Sequence, residues 1–138
     1  MPSLIDYLLA NRIQAGVLSG IKVNNPVSGG EAAAILRKQV KKAVVITLGE
    51  HGHVVDQGEG PAHVGSFAVE ARDYSVAFDA FVGGFCADLI VEQSVTQAAA
   101  FGSAAGALAL ARTGSQASFT ARKEIQDFLK QGPHTASR

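Results

Sequence analysis

The chain has 138 residues, 47% of them apolar and 17% charged, and its 12 basic residues balance its 12 acidic ones. This length and composition predict one domain over residues 1–138 and exclude disorder as the main state. The neutral balance excludes the basic surface on which nucleic-acid binding depends, and the single cysteine excludes an internal disulfide.

The N-terminal part of the chain predicts a helix. Residues 1–6 lack the basic and apolar regions of a signal peptide, so we expect a cytoplasmic protein. Ser28 and Glu31 have the spacing of a capping box, in which each side chain bonds a backbone N–H of the helix start. This pattern predicts a helix through residues 32–40.

Extended segments follow. The β-branched run 43–48 is apolar on both faces, as a central strand in a covered sheet would be. The glycine-containing segment 49–52 ends this strand. Residues 53–56 predict a second strand, 58–61 a turn, and 62–71 a third extended segment.

Residues 77–92 predict a helix with its aromatic residues on one side. Phe78, Phe81 and Phe85 are typical of a packed core rather than of a ligand platform. Gly83 and Gly84 each cost about 1 kcal/mol relative to alanine inside a helix, which indicates close packing against a neighbour.

A second capping box, at Ser94 and Gln97, opens a helix that ends near Arg112. The apolar run 98–111 is shorter than the roughly 20 residues that cross a bilayer, so we expect no membrane partner. We therefore interpret the spacing of Gly102 and Gly106 as a buried helix in close contact with a sheet. A short helix over 120–130 and a loose tail over 132–138 complete an α/β pattern.

Some reactive side chains have structural interpretations. Cys86 lies among apolar helix residues and is expected to be a small buried hydrophobe. The four histidines show no metal-ligand spacing and are interpreted as polar surface residues: His51, His53, His63 and His134.

Four segments, in chain order, resemble the C-terminal half of the ribokinase (PfkB-type) carbohydrate kinase family. Residues 10–21, ANRIQAGVLSGI, resemble the family's PNxxEAxxLTG segment. Residues 45–52, VITLGEHG, are similar to its TLGxxG loop. Residues 69–83, VEARDYSVAFDAFVG, stand where the family has VDTTGAGDxFxGG, and residues 111–118, ARTGSQAS, resemble RxGAQxS. The resemblance implies a three-layer α/β fold with a small, partly parallel sheet covered by helices.

The resemblance also implies roles for individual residues. Asp79 matches the family's catalytic base, which takes the proton of the attacking sugar hydroxyl. Val76, Ala77 and Phe78 match the backbone N–H groups that receive the transferring phosphate. Residues implied to contact ATP are Asn11, Thr47, Gly49, Glu50, Gly52 and Ser103. Those implied to hold a monovalent cation such as K⁺ are Asp73, Ser75, Ala109, Arg112, Gly114 and Ser118.

Two departures from the family pattern bear on activity. Val76 and Phe78 replace glycines of the GAGD motif, which obstructs backbone approach and disfavours positive φ angles. The acidic residue that organises Mg²⁺ and phosphate in the family is missing after Asn11, where Arg12 follows. Without the resemblance, Asp79 is interpreted as a first-turn acid that favours the helix dipole. Asp73 and Arg112 would then form a structural ion pair or turn contact.

Family members are about twice this length, and their sugar site lies in the other half. We therefore expect an exposed sheet edge and apolar face, covered in a homodimer or by a complementing N-terminal half. The favoured hypothesis is a truncated kinase homologue that binds or scaffolds but no longer transfers phosphate. The alternative is the active half of a split carbohydrate kinase with Asp79 as base. A folding fragment without a biological role is a third, lesser possibility.

Overall fold

The computed structural model describes residues 4–66, 74–92 and 94–111, together with positions 125, 126 and 129. These residues belong to two compact units that divide after Gly65. The first unit contains a four-stranded sheet and two helices, and the second contains a helix pair. Each unit is described on its own below.

The sheet of the first unit is mixed. Its strands are β1 (Tyr7–Asn11), β2 (Ala43–Thr47), β3 (His53–Asp56) and β4 (Pro61–Val64), in the spatial order β1-β2-β3-β4. β1 runs parallel to β2, and the other two pairs are antiparallel. The α/β class and the small, partly parallel sheet predicted from the sequence are thus confirmed.

The predicted strands agree with the observed ones except at the last. Both β2 and β3 lie inside the sheet and are almost wholly buried, which explains the continuous apolar run of β2. The third extended segment ends at Val64, short of the predicted 71, and residues 67–71 lie outside the described part of the chain. β1 was not predicted from the residue pattern.

Helix α1 (Arg12–Ser19) follows β1 directly. The side chain of Asn11 accepts a hydrogen bond from the N–H of Gln14 at 2.8 Å, and the side chain of Gln14 accepts one from the N–H of Asn11 at 3.0 Å. Gly20 ends the helix with φ +80°, a conformation that favours glycine. The residue pattern did not predict this helix either.

Helix α2 spans Pro26–Arg37, and the predicted start of this helix was wrong. Asn25 is the N-cap, and Pro26 occupies the first turn, where its missing N–H costs nothing. Ser28 stands three positions inside the cap and bonds back to the N–H of Asn25 at 3.1 Å. The reciprocal capping pair is therefore Asn25 with Ser28, rather than Ser28 with Glu31.

Both helices of the first unit pack on one face of the sheet. Small residues of α1 and α2 bring their backbones close to the strands, and each fully buried valine, leucine or isoleucine side chain contributes about 1.5–3 kcal/mol. The buried cluster consists of Ala10, Ala15, Val23, Ala32, Ala33, Leu36, Val40, Val44, Ile46, Leu48 and Val54.

The second unit is built around helices α3 (Tyr74–Glu92) and α4 (Val95–Ala111). The Oγ of Ser94 accepts from the N–H of Gln97 at 3.2 Å, as the predicted cap requires. A Cβ added to Gly102 would lie 2.7 Å from the carbonyl oxygen of Phe81, and one added to Gly106 would lie 2.8 Å from that of Ala77. The close contact at these two glycines is thus with a helix, not with the predicted sheet.

The paired glycines of α3 differ from each other. A Cβ on Gly84 would lie 3.1 Å from the Cβ of Ala105, so close packing is confirmed there. Gly83 faces open space, and the same prediction was wrong for it. Phe81 and Phe85 are buried as predicted, with ring centroids 6.4 Å apart, whereas Phe78 is half-buried.

Two predictions about burial were wrong. Cys86 is exposed on α3, because it lies on the side of the helix away from the buried Phe81 and Asp88. His53 is 2% exposed, because it stands in an interior strand that is buried on both faces. The predicted helix over 120–130 lies mostly outside the described residues, as do the tail over 132–138 and His134.

Candidate functional site

The carboxyl ends of β1 and β2 carry most of the residues implied to contact a nucleotide. Asn11 and Thr47 end these parallel strands and are register partners. The segment 48–52, called the edge loop below, follows β2 at the same edge. In α/β proteins ligands bind outside the carboxyl ends of parallel strands, so this edge is the candidate site of the first unit.

Glycines set the course of the edge loop. Gly49 and Gly52 have φ angles of +60° and +86°, which side-chain-bearing residues rarely adopt. A Cβ on Gly52 would lie 1.9 Å from the carbonyl oxygen of Val64, so no other residue fits without moving β4. The N–H of Leu48 donates to the carbonyl of Gly52 at 2.7 Å and closes the loop.

The side chain of His63 fastens the edge loop to the sheet, a role that the sequence did not reveal. The Nε2 of His63 on β4 bonds to the carbonyl oxygen of His51. His53 follows the loop directly, and its pKa is lowered from 6.5 to about 4 by burial and, secondarily, by the nearby His63. It is therefore neutral at pH 7. The period-two pattern gave no signal for this burial, because both faces of β3 are covered.

Polar groups at this edge are partly engaged within the chain. The side-chain oxygen of Asn11 caps α1 and so is held in a fixed position. Glu50 is exposed, and its carboxylate lies 3.8 Å from the ring of His51. Thr47 is half-buried. The edge thus offers a hydroxyl, an amide and an exposed carboxylate beside a glycine-shaped loop, a set that can bind a polar ligand.

In the second unit, α3 carries the residues implied for phosphoryl transfer. The helix starts at Tyr74 instead of the predicted 77, so Asp79 is its sixth residue and is exposed. The interpretation of Asp79 as a first-turn acid was wrong, since the first turn holds no acidic residue. Only the first N–H groups of a helix lack an intrahelical acceptor. Phe78 lies four residues beyond Tyr74, so its N–H falls within the helical hydrogen-bond pattern.

The remaining implied residues are only partly described. Ser103 is half-buried on α4 in the second unit, and Ala109 on the same helix is 1% exposed. The backbone of Ser75 is helical. The other residues implied to hold a monovalent cation lie outside the described ranges: Asp73, Arg112, Gly114 and Ser118.

The described residues provide no ready-made metal centre. Nowhere in the described ranges do three His, Cys, Asp or Glu side chains gather closely enough to hold an ion. Glu50 carries the carboxylate at the sheet edge formed by the carboxyl ends of β1 and β2, and this side chain is 74% exposed.

No helix among the described residues is long and apolar enough to cross a membrane.

Comparison with known proteins assigns the family. A model of the pfkB family carbohydrate kinases matches residues 1–122, and the chain belongs to this family. The matched range includes all four motifs and also Val76 and Phe78, where the chain departs from the family pattern.

The relatives are ribokinases of greater length. A ribokinase of Haemophilus influenzae is 35% identical over 128 residues, which are 93% of this chain and 42% of the relative. The structure of a ribokinase of Thermotoga maritima is 32% identical with a TM-score of 0.76, over 91% of this chain and 42% of that one. An Arabidopsis thaliana ribokinase, complexed with ribose and ATP, is 26% identical with a TM-score of 0.77, over 91% and 41%. The chain thus spans less than half the length of these relatives.

Proposed function

We propose that this chain is the nucleotide-binding part of a pfkB-family carbohydrate kinase, and that alone it binds nucleotide without transferring phosphate. The observation that carries the proposal is the meeting of Asn11, Thr47 and the edge loop at one sheet edge. These residues match family motifs, and a ribokinase of the same fold is complexed with ATP. By resemblance, Ser103 of the second unit matches a family position near the adenine.

The start of α3 supports the loss of phosphoryl transfer. An anion hole at Val76, Ala77 and Phe78 needs backbone N–H groups that have no acceptor within the helix, yet the N–H of Phe78 lies within the helical hydrogen-bond pattern. Loss of one such donor costs about 2.7–4 kcal/mol, or roughly 10²–10³ in rate. The half-buried ring of Phe78 adds bulk where the family has glycine.

Mg²⁺ and K⁺ belong to the proposal by family resemblance. Mg²⁺ would be carried by the ATP phosphates, because the acidic residue that the family motif has after Asn11 is missing here and Arg12 follows instead. K⁺ would be held by Asp73, Ser75, Ala109, Arg112, Gly114 and Ser118, several of them through backbone carbonyls. The two cations would neutralise negative charge near the phosphates.

A second candidate function is the active half of a split carbohydrate kinase. The exposure of Asp79 favours it, since a general base must reach the sugar hydroxyl. The sugar site would then come from a complementing chain, because this chain spans 42% of a ribokinase. The proposal includes assembly with such a partner or as a homodimer. It also includes a cytoplasmic location and a single domain over residues 1–138.

The test is a sugar-dependent ADP-release assay. The purified chain is incubated with ATP–Mg²⁺ and ribose, with and without the part of the Haemophilus influenzae ribokinase that lies outside the match. The proposal expects no release from the chain alone. ADP release by the chain alone would contradict the proposal if Asp79→Asn abolishes it and Asp6→Asn does not. Asp6 is an exposed carboxylate and serves as the control. Release that requires the added part would establish the second candidate.

A further inference from the structure

Close packing fixes both ends of the edge loop. A Cβ on Gly52 would meet the carbonyl oxygen of Val64 and the backbone of Gly65, so the end of the loop lies directly against the end of β4. Leu48, at the start of the loop, is 2% exposed, and its side chain lies 3.1 Å from the position of a Cβ added to Gly29 on α2. The residues between these two ends depend on other contacts.

A side chain from β4 reaches the middle of the loop. The carbonyl oxygen of His51 is hydrogen-bonded to the Nε2 of His63, twelve positions further along the chain. A carbonyl oxygen can only accept, so Nε2 must carry the proton in this bond. The donor is present in the neutral ring with this tautomer and also in the protonated ring. The attachment therefore does not depend on whether the other ring nitrogen is protonated.

This hydrogen bond determines the orientation of one peptide group. The carbonyl of His51 and the N–H of Gly52 belong to the same planar peptide, so fixing one of them fixes the direction of the other. That N–H donates to the carbonyl of Gly49 at 3.1 Å, within the loop. Gly52 has φ +86° and ψ −133°, and glycine permits many alternatives to this conformation. A second constraint on the peptide therefore limits the conformations of the loop.

We propose that His63 is a positioning residue of the nucleotide edge, whose Nε2–H holds the peptide between His51 and Gly52 in the orientation that shapes the edge loop for nucleotide. This inference rests on the proposed function, which makes the edge loop part of a nucleotide site. A loop that is held in one conformation before binding loses less conformational freedom when the ligand binds. The net contribution of one neutral hydrogen bond corresponds to about three- to tenfold in affinity.

A groove beside the ring of His63 makes the role testable by substitution. The groove has a volume of about 360 Å³ and lies between α2 and β4, with Pro26, Gly30, Pro61 and His63 among its walls. A side chain of different shape at position 63 can extend into this space without forcing α2 and β4 apart. Variants at this position are therefore expected to fold.

The test measures binding of ATP–Mg²⁺ to the full chain by titration calorimetry. His63→Leu removes the donor at a similar side-chain size and should weaken binding about three- to tenfold. His63→Gln retains an N–H donor at about the reach of Nε2, and its affinity should stay within about twofold of the parent. Ala62→Thr, on the exposed neighbouring residue of β4, is the matched control and should also stay within about twofold.

Amide hydrogen exchange distinguishes positioning of the loop from a general effect on stability. In His63→Leu the N–H of Gly52 should exchange faster than in the parent, while the N–H groups of β2 exchange at the parent rate. Saturating ATP should slow the exchange at Gly52 again. A general loss of stability would instead accelerate exchange in β2 as well, and this result would overturn the proposal.

The outcomes separate this inference from the proposed function. Equal ATP affinity in the parent and His63→Leu would overturn the inference and leave the proposed function standing. Equal weakening in His63→Gln and His63→Leu would also overturn it, because the N–H donor would then not be the group that matters. If the parent chain binds no ATP, the proposed function fails and this inference fails with it.

Discussion

Acidification protonates an imidazole that the fold keeps neutral. His53 is 2% exposed, and its pKa is lowered from 6.5 to about 4, chiefly by burial and further by His63. Between these two pH values the unfolded chain binds more protons than the folded one, so the free energy of unfolding falls as the pH falls. The stabilisation is complete above pH 6.5 and lost on passing through pH 4. At about 1.36 kcal/mol per pKa unit, the loss is about 2 kcal/mol by pH 5 and about 3 kcal/mol in full.

The assay is urea unfolding at pH 7, 6 and 5, with an imidazole titration followed by NMR. His53→Gln should flatten the pH dependence over this range, because the group that titrates differently in the two states is removed. His51→Gln, on a side chain that is 43% exposed, is the control and should keep the slope. A pKa near 6.5 for His53, or the same slope in His53→Gln as in the parent chain, would refute the reasoning.

The remaining predictions concern glycines. Gly52→Ala should destabilise the first unit by about 3 kcal/mol or more in urea unfolding, because its Cβ would meet the Val64 carbonyl at 1.9 Å. Gly60→Ala, with φ +101° but nothing within 4 Å, should cost only about 1 kcal/mol; equal losses would contradict this. Gly102→Ala should lower the thermal midpoint by forcing α3 and α4 apart, whereas Gly83→Ala should raise stability by about 0.5–1 kcal/mol. A reversed order would show that the helices do not meet as described.

Local signals located much of the first unit. The β-branched runs at 43–48 and 53–56 and the glycines between them are sufficient for two strands and a turn, since these features act within a few residues. The clustering of Asn11, Thr47 and the edge loop was predictable once β1 and β2 were known to be parallel. β1 itself was missed because its five residues, four half-buried and one buried, give no clear periodicity.

Other features depend on contacts that no short window contains. His53 is buried in a strand that lies between two others, and its own neighbours in the sequence do not indicate this burial. The start of α2 was misplaced because two cap signals compete, and Asn25 followed by Pro26 outweighs Ser28 with Glu31. The start of α3 was also misplaced, at 77 instead of Tyr74, and this changes which backbone N–H groups are available for a phosphate.

The most direct test of the account is a calorimetric titration of the chain with ATP–Mg²⁺ in the presence of K⁺, repeated on Phe78→Gly. The account predicts saturable binding by the parent chain, because the edge of β1 and β2 is intact, and tighter binding by the variant, because the family has glycine at this position of its phosphate motif. No heat of binding from either protein would contradict the assignment of a nucleotide-binding part.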